Sequence, residues 1–312
     1  MFNRTSSSVY FVISILAILI ISLACRLTPR ADSSDDSILL QTLEAANATQ
    51  SALLTQVALE PVQPTAEIIP EEPLPTVTEP VDTPKPPDIL YEGIGFSFGP
   101  EIAQSAFAET IPGEDLGEDV MPGMNFPTHF EFTLNGYPVS DHFYNPKIMV
   151  FSVDEYRIIN SVADTRIDDL SQLLVTQSTT DFGVALPFLP FWPAAQLFNA
   201  NITFLDFQSG SGLRYLLMFG HEIYPVDNQN LFYTFQGLTD DGRYYVSAIL
   251  PITHPGLPDS GFDIVDDWLA FGENWETYLA ETTSWLEMQP EDSFIPSLSD
   301  LDAMIASIQI NR

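Results

Sequence analysis

The sequence predicts an α+β domain with a mainly antiparallel sheet, a meander of hairpins packed by helices, preceded by a signal peptide and a disordered or polyproline stalk. Three observations predict it. Short strand-like runs recur between residues 94 and 250, and two pairs of them are joined by brief polar turns. Beyond residue 108, helical periodicity is confined to one middle segment and to the region after residue 263. The strand, glycine loop and helix alternation of a nucleotide fold is missing from the pattern. Aromatic residues make up 12% of the chain and fall mostly after residue 90, too many for a region that stays unfolded.

The N-terminus divides from the rest. Residues 1–8 are short and polar, with Arg4 as their charge, and residues 9–24 form an apolar run of 16 broken only by Ser14 and Ser22. A positive start, an apolar middle and a small residue at the end are the layout of a signal peptide, here residues 1–24. The run is short of the roughly 20 residues that a membrane span needs. Ile21-Ser22-Leu23-Ala24-Cys25 resembles a bacterial lipobox, although Leu and a small residue are commoner where Ser22 and Leu23 stand. That resemblance implies cleavage after Ala24 and lipid attachment at Cys25. Two or three acyl chains would hold the mature protein to a membrane. Cys25 is the lone cysteine, so an intramolecular disulfide is excluded.

Residues 25–60 read as a lipid anchor followed by a spacer helix. The Asp32–Ser37 run offers N-caps, and Leu39, Leu43, Ala46, Leu53 and Val57 follow at heptad-like steps around Gln50. The segment suits a lone spacer or a weak coiled coil, and with it the oligomeric state stays open. Residues 61–88 hold nine prolines among Thr and Glu. Proline fixes φ and removes donors, so polyproline II is expected, reaching up to about 87 Å. That leaves 89–312 as one folded domain, long enough for a large core.

Within it, Ile94 to Phe98 alternates as a strand, and Pro100 suits the start of a short helix to about 108. Residues 128–134 and 147–153 read as strands, and Asp164 as the cap of a helix with Ile167, Leu170, Leu173 and Leu174 on one face. Runs 201–208 and 213–219 flank Ser209 to Gly212, and runs 230–237 and 243–250 flank Thr239-Asp240-Asp241-Gly242, so two hairpins are expected. A helix over about 263–288 carries Ile264, Trp268, Phe271, Trp275, Tyr278 and Trp285 at helical steps. A last helix over 300–310 has Ser299 and Asp302 at capping-box spacing.

Residues 91–103 (YEGIGFSFGPEIA) and 233–255 (YTFQGLTDDGRYYVSAILPITHP), with the signal and the Pro/Thr stalk, resemble an uncharacterised bacterial lipoprotein family. The resemblance brings no assigned activity. The order of sheet and helices is similar to the PsbP-type fold of membrane-associated accessory proteins, and fold alone does not give function.

Charge narrows the partners. The chain carries −33 overall, and after residue 88 there are 32 acidic against 6 basic residues. Such a field repels phosphates, which excludes nucleic acid as a partner. His221-Glu222 opens like a zinc-protease motif, but Pro225 stands where the second histidine belongs. His129, His142, His221 and His254 show no ligand spacing, and no calcium loop occurs, so neither a metal nor a cofactor is expected. Ser209 to Gly212 lacks the first glycine of a nucleophile elbow. No catalytic residue is assigned, and the enzyme question leans to no.

Two features suit binding. Leu186 to Pro193 holds three prolines and three aromatics, so Phe188, Phe191 and Trp192 sit on a loop that either plugs the core or forms an apolar patch. Arg214 and Arg243 are rare cations on the two hairpins, suited to carboxylates and phosphates or to pairing with the abundant acids. The expected function is therefore an extracytoplasmic, lipid-anchored binding or accessory module of the cell envelope. It would sit on the outer face of the cytoplasmic membrane, or on the outer membrane of a cell that has one. Its partner would be an envelope glycan, a peptide or a protein. A carboxylate-based envelope hydrolase and a structural assembly factor for a membrane complex are the alternatives.

Overall fold

The structure is a computed structural model that describes residues 86–117, 121, 123–180, 182–183 and 185–312. The signal segment, Cys25, the spacer helix and the proline-rich stretch as far as residue 85 lie outside the described residues.

The described residues form an α+β domain with two antiparallel sheets. In chain order the elements are β1 (Ile89–Tyr91), β2 (Ile94–Phe96), β3 (Ser105–Ile111), β4 (His129–Asn135), β5 (Lys147–Ser152), α1 (Val153–Ile159), α2 (Ser161–Thr176), β6 (Ala195–Phe207), β7 (Gly210–Gly220), β8 (Phe232–Thr239), β9 (Tyr244–Pro251), α3 (Trp268–Glu273), α4 (Trp275–Glu287), α5 (Leu298–Ala306) and β10 (Gln309–Ile310). The large sheet runs β3-β4-β5-β9-β8-β7-β6, and the small one β1-β2-β10. Both expected hairpins are present, as β6–β7 and β8–β9, and β9 then pairs with β5 to join them to the earlier strands.

The sheet is covered on both faces. On one, Phe132, Val150, Leu216, Tyr233 and Val246 pack with α5, the end of α4 and the small sheet. On the other, Met149, Phe151, Leu213, Tyr215, Leu217 and Tyr245 pack with α1, α2 and the 186–189 segment. Central strands buried on both sides need apolar residues at successive positions, which is why β7 carries Leu216-Leu217-Met218 and β9 carries Ala248-Ile249-Leu250. Gly212 in β7 allows a close approach, because a Cβ there would lie 2.3 Å from the Phe235 ring.

Local corrections have physical causes. Residues 105–111 are not helix: only one turn forms, with the Ile102 and Ala103 N–H groups donating to the Gly99 carbonyl, and β3 then pairs along the full length of β4. Asn160, not Asp164, caps α2, its side chain accepting from the Val162 and Ala163 N–H groups. The last helix starts two residues early, with Ser297 accepting from the Asp300 N–H and donating to its carboxylate. The long helix expected over 263–288 breaks at Asn274, whose N–H is shared between the Ala270 and Phe271 carbonyls. Its side-chain amide also returns to the Ala270 carbonyl.

Candidate functional site

The proline-rich segment lies on the α1/α2 face of the sheet. Leu186 to Leu189 are buried, and three prolines prevent them from satisfying their backbone in a ladder. Side chains of the sheet do so instead. Gln196 exchanges two hydrogen bonds with the Leu186 backbone, at 3.1 and 2.7 Å. The Tyr215 hydroxyl donates to the Pro187 carbonyl at 2.9 Å. Gln236 accepts from the Leu189 N–H at 2.9 Å and from the Tyr245 hydroxyl at 2.6 Å. Its amide donates to Thr234 Oγ1 at 2.8 Å and to Ser247 Oγ at 3.0 Å, and Ser247 donates on to the Leu189 carbonyl. Every polar atom of Gln236 is therefore engaged, and the loop is fixed by a closed network rather than by apolar contact alone.

Above this anchorage the loop meets residues 142–147. Between them opens a pocket of about 200 Å³, walled by Phe143, Tyr144, Phe188, Trp192 and Phe219. Trp192 stands edge-on to Phe143 at 6.0 Å and 90°, and lies 5.6 Å from Tyr144. Phe143 is 64% exposed and forms the outer lip. Asn145 and Lys147 are the polar lining, and both also line an adjoining hollow with Glu131, Thr133 and Asn135. Lys147 Nζ is 2.9 Å from the Glu131 carboxylate.

His142 positions the opposite wall. Its Nε2 lies 2.9 Å from the Leu231 carbonyl, and Nδ1 accepts from the Tyr144 N–H at 3.1 Å. Only the neutral Nε2–H tautomer serves both contacts. Burial pushes its pKa below the usual 6.5, against the pull of the Leu231 carbonyl and the Asp227 charge. Because the folded-state pKa lies below the unfolded one, the unfolded chain binds more protons below 6.5. Stability contributed here is whole above that value and falls as the pH drops through it. His142→Asn is expected to flatten the fall of the unfolding midpoint between about pH 7 and about pH 5. Thermal melts of both proteins across that range check this.

The residues that stand out in the sequence fall in different places. Phe188 and Trp192 line the pocket. Phe191 turns the other way, onto Gly123, where a Cβ would sit 2.6 Å from its ring. Arg214 is buried and held by four hydrogen bonds: Nε and Nη2 fork onto the Asp302 carboxylate at 3.2 and 2.9 Å, Nη2 reaches Glu291 at 3.1 Å, and Nη1 donates to the Asn201 carbonyl at 2.7 Å. Arg243 is exposed, donates to the Arg312 carbonyl at 3.0 Å and lies over the Tyr244 ring. Neither arginine lines the pocket. Phe143, Tyr144, Asn145, Lys147 and Phe219 also line the pocket, and no motif in the sequence marks them.

Among the described residues, the one Ser–His contact has the wrong polarity for nucleophile activation. His254 Nδ1 accepts from the Gly256 N–H at 3.0 Å, so the proton sits on Nε2, 3.0 Å from Ser293 Oγ. Ser293 in turn donates to the Pro290 carbonyl at 2.6 Å. The histidine thus donates to the serine instead of accepting its proton. Glu109 and Glu131 are register partners on β3 and β4, but Glu109 is exposed at the sheet edge and Glu131 is taken by Lys147. Among the described residues, no group of three or more His, Cys, Asp or Glu is placed to hold a metal, and no helix is long and apolar enough to cross a membrane. The chain matches no protein-family model, no curated protein and no solved structure.

Proposed function

We propose that this chain is a lipid-anchored binding module of the cell envelope. It is carried outside the cytoplasm on Cys25 and takes a ring-bearing ligand, such as a sugar unit of an envelope glycan, into the aromatic pocket. The observation that carries this reading is the pairing of two unlike cavities around Asn145 and Lys147, one aromatic and one polar. A sugar ring has the same division: its C–H faces suit Trp192 and Tyr144, and its edge hydroxyls suit an amide and an ammonium group. The clamped 186–189 backbone supports it further, because a wall fixed before binding costs little ordering when the ligand arrives. The signal layout and Ser22-Leu23-Ala24-Cys25 support the location.

Calorimetric titration of the mature chain with short neutral and N-acetylated oligosaccharides tests the ligand class. Trp192→Ala is expected to weaken binding by about tenfold or more, as loss of a central aromatic anchor does. Titrations that show no saccharide binding, or equal affinity for the variant, would remove the pocket from this role.

A further inference from the structure

A second surface carries a different inference, independent of the pocket. From Phe262 to Thr277 no residue is buried, although the stretch includes Phe262, Ile264, Trp268, Leu269, Phe271 and Trp275. Helix α3 buries none of its residues, so it lacks the covered face that ordinarily stabilises an amphipathic helix. Phe262 is 69% exposed and Leu269 76%. The surface is nevertheless built. Tyr224 meets Phe262 at 4.8 Å and Trp268 at 6.2 Å, and Phe271 links Trp268 to Trp275 and Tyr278. Tyr278 accepts from the Val226 N–H at 2.9 Å, and the Asp267 side chain caps α3. An apolar patch held this firmly and left uncovered marks an interaction surface.

Charge identifies what fits it. Asp259, Asp263, Asp266, Asp267, Glu273 and Glu276 stand in or beside the patch, and no Lys or Arg occurs from residue 244 to residue 311. An anionic membrane would be repelled, and a second copy of the same patch would set like charges against each other. We infer that this surface docks a cationic amphipathic polypeptide segment, its apolar side chains on Phe262, Trp268 and Leu269 and its Lys or Arg side chains on the flanking carboxylates. Apolar contact would supply the affinity, and the acidic rim the orientation and the rate of encounter.

The probe is a synthetic leucine–lysine peptide with its leucines on one helical face, compared with a scrambled peptide of identical composition. Binding to the mature chain is followed by anisotropy. The amphipathic peptide is expected to bind at least about tenfold more tightly than the scrambled one. The double variant Phe262→Ser/Leu269→Ser, which keeps every carboxylate, is expected to lose at least about tenfold. Both side chains are largely exposed, so an unchanged melting profile should accompany that loss. Equal binding of the two peptides, or an unchanged affinity in the double variant, would reduce the surface to non-specific charge and overturn the inference. So would a co-sedimentation with phosphatidylcholine vesicles, or a self-association, that the double variant abolishes, in the absence of selective peptide binding.

Discussion

Arg214→Met is expected to lower the stability of the domain by about 3–5 kcal/mol. The guanidinium is buried to 3% side-chain exposure and its Asp302 partner to 18%. Removing the cation leaves that carboxylate without its counterion, and leaves the Asn201 carbonyl without the donor that the β6 bulge presents it to. The Tyr233 hydroxyl, at 2.8 Å, would be the remaining donor to Asp302. Three pieces of the fold lose a common fastening: β7, α5 and the turn that carries Glu291. In a domain this size the melting midpoint should fall by roughly 10 °C. Arg214→Met/Asp302→Leu should recover much of the loss, because the cost lies in the orphaned charge more than in the missing pair. Differential scanning calorimetry of the three proteins checks both statements. A single variant that melts with the wild type would mean that the ion pair does not hold α5 to the sheet.

Gln236→Leu is expected to cost about 2–4 kcal/mol and to weaken ligand binding as well. Leucine fills a similar volume but leaves the Leu189 N–H without its acceptor and Thr234 Oγ1 without its amide donor, both in the dry face of the sheet. The Tyr245 hydroxyl loses its acceptor too. The 186–189 backbone would then be held mainly by Gln196, Tyr215 and Ser247. Urea unfolding gives the stability change. Faster amide exchange at Leu189, with exchange in α5 slowed as in the wild type, would show the loosening to be local.

Much of the sheet was legible because its signals are local. Asp241 and Gly242 close the β8–β9 turn, with Gly242 at φ 69° and the Asp241 carboxylate accepting from the Arg243 N–H at 3.0 Å. The strand β3 was not legible, since Pro100 and the alanines after it suit a helix, and pairing with β4 decides otherwise. A long-range partner likewise decides Arg214. Its rarity drew attention to it, but Asp302 lies 88 positions away and its proximity follows from topology, not spacing. In the pocket, Phe188 and Trp192 stood out because three prolines forbid regular structure around them. Phe143, Tyr144 and Phe219 did not, because their convergence depends on which face the 142–146 turn covers. The buried Gln236 and Ser247 were visible only as polar breaks in apolar runs, and such breaks on a doubly covered strand are a signal worth reading.

The central claim is that a ring-bearing ligand enters the aromatic pocket that Trp192 and Tyr144 line, and Trp indole NMR tests it most directly. The mature chain carries Trp192, Trp268, Trp275 and Trp285 as four separate reporters. On titration with a short N-acetylated oligosaccharide, the Trp192 N–H resonance should move and saturate while the other three stay in place. A Trp192 signal that stays still while Trp268 or Trp275 shifts would contradict the account and move the ligand to the acidic aromatic surface.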